Sequence, residues 1–129
     1  MSDHARRPVV LYDGSCRFCR SAARLAASLD RREELAFLPL QDEQAARLLA
    51  SVGEDERRST WWLVEADGSA HSRGRAGLAL LEQLSGWRRV ARLLRPVGGA
   101  LDPLYEAVAK RRHQIGRIVP DRPGPLRYP

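Results

Sequence analysis

Cysteine is scarce in this sequence, with Cys16 and Cys19 the only two in 129 residues. Two cannot supply the set of bridges that staples a small secreted domain, so that class is excluded. Lysine is scarcer still: Lys110 is the single lysine among 22 basic residues, a bias we attribute to GC-rich bacterial coding before phosphate recognition. No apolar run approaches the roughly 20 residues needed to cross a bilayer. After Arg6-Arg7-Pro8 only Val9-Val10-Leu11-Tyr12 precedes Asp13, too short an apolar stretch for a secretory leader. The histidines His4, His71 and His113 are scattered singly, without the paired spacing of zinc ligands, so no metal site is expected. These absences point to a cytoplasmic protein with a thiol pair.

What is present suffices for one globular domain with a core, expected over residues 1–118, followed by a loose proline-rich tail over 119–129. The net charge of +6 is unevenly placed: residues 1–86 hold 12 Arg against 13 acids, residues 87–129 hold 10 Lys and Arg against 3 acids. The region bearing the cysteines is therefore nearly neutral, and the basic character belongs to the C-terminal third.

Val9–Tyr12 reads as a strand, and a helix is expected from about Cys16 to Leu29 with Phe18, Ala22, Leu25 and Leu29 as its buried stripe. Leu35–Leu38 reads as a second strand ended by Pro39, and Asp42 as the N-cap of a helix reaching Val52. Gly53–Arg58 is expected to be a loop. Thr60–Glu65 and Ala70–Arg73 read as a hairpin around Asp67-Gly68, with Trp61 the better core candidate of the two tryptophans. A helix through Ala76–Leu84 stops at Gly86. A basic amphipathic segment spans Trp87–Arg95, and Asp102-Pro103 begins a last helix reaching Ile115. The sum is an α/β chain with a four-stranded mixed sheet flanked by helices and extra C-terminal helices.

The CxxC pair falls where the first strand gives way to the first helix. A helix N-terminus offers unpaired N–H groups and positive dipole, which favour a thiolate. Residues at i and i+3 share a helix face, so Cys16 and Cys19 can close a small disulfide. Cys16 is the candidate nucleophile and Cys19 its resolving partner, with the pair itself as the redox group and no further cofactor. Arg17 and Arg20 lie in the same turns. Asp13 is a candidate proton relay or, equally, an Asx-turn former.

Leu11-Tyr12-Asp13-Gly14-Ser15-Cys16-Arg17-Phe18-Cys19 with Phe37-Leu38-Pro39-Leu40-Gln41 resembles the DCC family of thiol-disulfide oxidoreductases, named for an aspartate and two cysteines. Asp67-Gly68 and the set Tyr105, Ala109 and Arg112 extend the resemblance over most of residues 8–116. It implies a thioredoxin-like fold with Asp13, Cys16 and Cys19 as signature residues. Tyr12, Gly14, Ser15, Arg17, Phe18, Pro39, Gln41, Ser59 and Thr60 are the candidate lining of the site. Ser59-Thr60 stands where thioredoxin-type enzymes carry a cis-proline, and no third cysteine follows Cys19. The expected partner is a disulfide or thiol substrate, a protein being the candidate class. The rival reading is a basic interaction module, binding nucleic acid or an anionic membrane surface through residues 87–117, whose CxxC is structural or holds zinc.

Overall fold

The computed structural model describes residues 7–84, 87–119 and 121–128. The expected helix stop at Gly86 lies outside them.

Four short strands form one sheet in the order β2-β1-β3-β4: β1 Val9–Tyr12, β2 Ala36–Pro39, β3 Trp62–Val64 and β4 Ala70–Ser72. β1 runs parallel to β2, with Val10 opposite Phe37, and antiparallel to β3, with Val10 opposite Leu63. β1 is apolar throughout because both of its faces are covered. Val10 and Tyr12 join Ala23, Ala26, Leu35, Phe37, Leu63, Ala76 and Leu84 on one side. Val9 and Leu11 join Ala36, Leu38, Ala45, Leu49, Trp62 and Val64 on the other. The parallel connection through helix α1 (Arg17–Leu29) gathers the ends of β1 and β2 and the start of α1 on one edge of the sheet. This is a thioredoxin-like α/β arrangement, extended beyond helix α4 (Arg73–Gln83) by helices α5 (Arg88–Leu94), α6 (Leu101–Lys110) and α7 (Arg112–Gly116).

Several elements differ from the sequence expectation. α1 does not bury the stripe through Leu25 and Leu29, which are 61% and 40% exposed; it lies on the sheet through Ala23 and Ala26. That face is turned about 100° from the leucines, by helical geometry, and its small side chains let the helix approach closely. Residues 54–59 form a helix, α3 (Glu54–Ser59), rather than a loop. Glu54, Asp55 and Glu56 in its first turn and Arg57 and Arg58 in its last complement the helix dipole, and Arg58 meets Glu54 at 2.9 Å. The preceding helix, α2 (Glu43–Leu48), is capped by Asp42 as expected but ends before Val52. Of the tryptophans it is Trp62 that enters the core, its Nε1–H held by the Arg57 carbonyl at 3.1 Å, while Trp61 is half-buried. The last helix begins one residue before Asp102 and breaks at Arg111, and Arg95–Ala100 closes into a 3-10 turn.

The C-terminal tail is docked rather than loose. Arg127 exchanges backbone hydrogen bonds with Phe37 at 2.7 and 3.0 Å along the outer edge of β2. Its guanidinium lies 5.2 Å from the Phe37 ring centroid, donates to the Leu35 carbonyl and pairs with the buried Asp30 carboxylate. The Asp30 carboxylate also accepts the Glu34 and Leu35 N–H groups, which ties the end of α1 to β2. Composition hid this, because prolines prevent helix and ladder without preventing an extended strand-edge contact.

Candidate functional site

The site grows from the turn between β1 and α1. Asp13 Oδ1 accepts the Ser15 N–H at 2.9 Å and the Ser15 hydroxyl at 2.6 Å, so the Asx turn is present. Gln41, just after β2, donates its Nε2–H to the same Oδ1 at 2.9 Å and accepts the Gly14 N–H at 3.0 Å. Gly14 is needed here: a Cβ would stand 2.9 Å from the Pro39 Cβ. Pro39, Gln41, Asp13, Gly14 and Ser15 thus form one hydrogen-bonded and packed unit that fixes where α1 begins. Burial would raise the Asp13 pKa, but hydrogen bonds from Ser15 and Gln41 and the Arg112 charge outweigh it and hold the carboxyl below its ordinary value.

Cys16 is the N-cap of α1 and is 5% exposed. Its sulfur accepts the Cys19 N–H at 3.4 Å, so the helix end binds this sulfur by one of its free donors. No disulfide joins the two cysteines in this structure. The Cys19 thiol is pushed up to about 12 by burial first, then by its hydrogen bond to Cys16 and the charges of Cys16 and Asp13, with Arg112 acting the other way. The two sulfurs are therefore unequal: Cys19 holds its proton through the neutral range, and Cys16 receives the donors.

Each sulfur faces a different space. Cys19 lines a largely apolar cavity of about 260 Å³ with Phe18, Ala22, Trp61, Tyr105 and Val108. Tyr12, Asp13, Thr60 and Arg112 also reach its wall. Cys16 lines a smaller recess of about 130 Å³, framed by Arg17, Phe18, Arg112, Gly116 and Arg117. Thr60 is buried and its Oγ1 lies 2.8 Å from the Tyr105 hydroxyl, which ties α6 to the start of β3 opposite the thiol pair. Ser59 is not brought to either space; its hydroxyl caps α3 through the Glu56 carbonyl. Arg20 likewise does not face the sulfurs. Its guanidinium holds the Gly14 carbonyl at 2.9 Å, the Asp121 carboxylate at 2.6 Å and the Arg122 carbonyl at 3.0 Å. Tyr12 donates its hydroxyl to the Pro125 carbonyl at 2.6 Å, and its ring stands where a Cβ on Gly124 would fall, 2.5 Å away.

Sequence reasoning missed Trp61, Val108 and Arg117 as site residues and had Arg112 only as part of the family pattern. The signal for Arg112 and Arg117 was their place one and six residues beyond the break at Arg111, which carries α7 back across α1. Among the described residues no cluster of three or more His, Cys, Asp or Glu side chains is placed to hold a metal, and His71 pairs with Glu65 at 2.8 Å.

Residues 10–118 match the family model of the DCC1-like thiol-disulfide oxidoreductases. A chloroplastic DCC family protein of Arabidopsis thaliana is 30% identical over 118 residues, which cover 85% of this chain and 65% of that protein, so the chain spans just under two thirds of its relative's length. No solved structure matches the chain. A match over nearly the whole ordered unit, with the aspartate and both cysteines at one strand–helix junction, makes this chain a member of the DCC1-like thiol-disulfide oxidoreductase family.

Proposed function

We propose that the chain is an enzyme of dithiol–disulfide exchange in which Cys16 is the nucleophile and Cys19 the resolving thiol. The observation that carries this reading is the geometry at the helix start: Cys16 is the N-cap of α1 and its Sγ takes the Cys19 N–H at 3.4 Å, while Cys19 lies one turn in, where burial and the neighbouring Cys16 push its thiol up. The Cys16 thiolate attacks one sulfur of a substrate disulfide. A Cys16–substrate S–S bond forms as the substrate S–S bond breaks, and the departing thiolate takes a proton from water. Cys19 then gives up its proton and attacks the Cys16 sulfur, which closes the Cys16–Cys19 disulfide and releases the second substrate thiolate. The protein pair loses two electrons and the substrate gains them, so the pair is itself the redox group. Run backward, the steps oxidise a dithiol.

Asp13 serves this chemistry as a fixed charge. Its Oδ1 is occupied by Ser15 and Gln41, and its negative charge adds to that of Cys16 in keeping Cys19 protonated; the Cys16 contribution is lost once the mixed disulfide has formed. A pair that must be re-reduced after each turnover suits a reducing compartment such as a bacterial cytoplasm.

The test is a trap. A Cys19→Ser variant should accumulate a mixed disulfide through Cys16, seen as an added mass, and Cys16→Ser should accumulate none. Stoichiometric zinc in the purified protein, or wild-type thiols that never form a reversible Cys16–Cys19 disulfide, would sink the reading.

A second reading is favoured by a separate surface. Trp87 and Leu93 are 44% and 79% exposed beside the exposed Arg88, Arg89 and Arg92 of α5, a basic apolar face suited to an anionic membrane surface. Co-sedimentation with vesicles of anionic lipid, absent with neutral lipid, is the check.

A further inference from the structure

We propose that the recess over Cys16 is the substrate entry and that it selects small disulfides carrying carboxylates close to the sulfur; this rests on the exchange reaction proposed above. Thiol–disulfide exchange runs through three sulfurs nearly in line. When Cys19 attacks the Cys16 sulfur, the leaving substrate sulfur must lie on the far side of Cys16. Cys16 does not line the apolar cavity that Cys19 lines; it lines the recess formed with α7. The substrate sulfur therefore arrives through the recess, and the cavity on the Cys19 side stays behind the pair.

The recess sets both the charge and the size of what enters. Arg17, Arg112 and Arg117 frame it, and among the described residues none of them forms an ion pair and no acidic side chain lines the recess. Asp13 acts on Arg112 from the side of the cavity. Three arginines lining the recess that Cys16 also lines raise the local concentration of an anionic substrate there. Size follows from α7: a Cβ on Gly116 would already be 3.5 Å from the Phe18 nitrogen, so the helix roofs the start of α1. The recess holds about 130 Å³, room for a sulfur and a few attached atoms, which favours a small disulfide over one flanked on both sides by the backbone of a folded protein.

The experiment measures how fast the reduced protein is oxidised by three disulfides of similar size: 3,3′-dithiodipropionate (dianion), 2-hydroxyethyl disulfide (neutral) and cystamine (dication). Each rate is divided by that of dithiothreitol with the same reagent, which cancels intrinsic reactivity. The expected order is dianion, neutral, dication, with about tenfold or more between the extremes at low salt and a smaller span as salt rises. Arg112→Gln with Arg117→Gln should collapse the span, while Arg89→Gln on α5 should leave it, which separates the recess from the net charge of the chain. Insulin should be reduced more slowly than dithiodipropionate at equal disulfide concentration. Equal normalised rates for the three reagents, a span that survives the double substitution, or insulin as the faster substrate would each overturn the proposal. Failure of every disulfide to oxidise thiols that still titrate would instead overturn the exchange reaction, and this inference with it.

Discussion

Cys16 and Cys19 are three residues apart, yet their surroundings are opposite. Cys16 sits at a helix end under a basic roof, and Cys19 sits one turn in, against an apolar cavity closed by Trp61, Tyr105 and Val108. The turn Asp13–Ser15 fixes where α1 begins, and the C-terminal segment contributes to both surroundings, α7 to the recess over Cys16 and α6 together with Arg112 of α7 to the cavity beside Cys19. A CxxC motif supplies two sulfurs, and the fold makes them different.

Phe18 belongs to both walls, so removing it breaks the contrast most severely. Phe18→Ala should merge recess and cavity, lower stability by about 2–3 kcal/mol, and raise the alkylation rate of Cys16; denaturant unfolding and mass spectrometry of the alkylated protein read the two effects. The tail supports the turn on the Cys16 side through Arg20, and it meets the wall of the cavity on the Cys19 side at Tyr12. Arg127→Ala should therefore release it at a cost of about 2 kcal/mol, since Asp30 keeps its two backbone donors but loses its cation. Faster amide exchange at Phe37 and at the Asp13–Ser15 turn, with α6 unchanged, is the expected pattern.

On the other side, Thr60→Val removes the 2.8 Å hydrogen bond to Tyr105 while keeping the shape of residue 60. The expected cost is about 1 kcal/mol, with looser α6 protection and no change in exchange at the Asp13 turn. The subtlest test is pH. The folded-state value of about 12 for Cys19 lies above the ordinary 9.0, so the folded protein holds this proton more tightly than the unfolded chain does. The resulting stabilisation is complete below about pH 9 and is lost as pH rises toward 12. Melting curves of the reduced protein should show a fall over that window that Cys19→Ser lacks. Asp13→Asn should leave the onset near pH 9 and make the fall smaller, ending at a lower pH, because the Asp13 charge helps raise the Cys19 value.

Sequence patterns reached far where the chain is local. The strand before Asp13, the cap at Asp42, the hairpin at Asp67-Gly68 and the CxxC at a helix start are all set by neighbours a few residues away, and the structure has each of them. The family pattern contained both Asp13 and Gln41, and the structure joins them through a 2.9 Å hydrogen bond. The errors fell where packing chooses between equal local options. Leu25 and Leu29 make a convincing apolar stripe, but the sheet accepted the smaller face through Ala23 and Ala26. Residues 54–59 look like a charged loop until the order of their charges along a helix axis is considered.

What the sequence determined by itself is the motif, the strand–turn–helix that carries it, and the apolar strands around it, because backbone preference and side-chain periodicity act within a few residues. Tertiary structure alone decided which sulfur is roofed by arginines and which faces an apolar cavity. Those walls come from Thr60, Tyr105, Arg112 and Arg117, distant in the chain and brought to the CxxC only when α6 and α7 pack back on the domain. The tail was decided the same way: Arg127 reaches Asp30 across 97 residues, a contact that exists only once the outer edge of β2 is there to receive it.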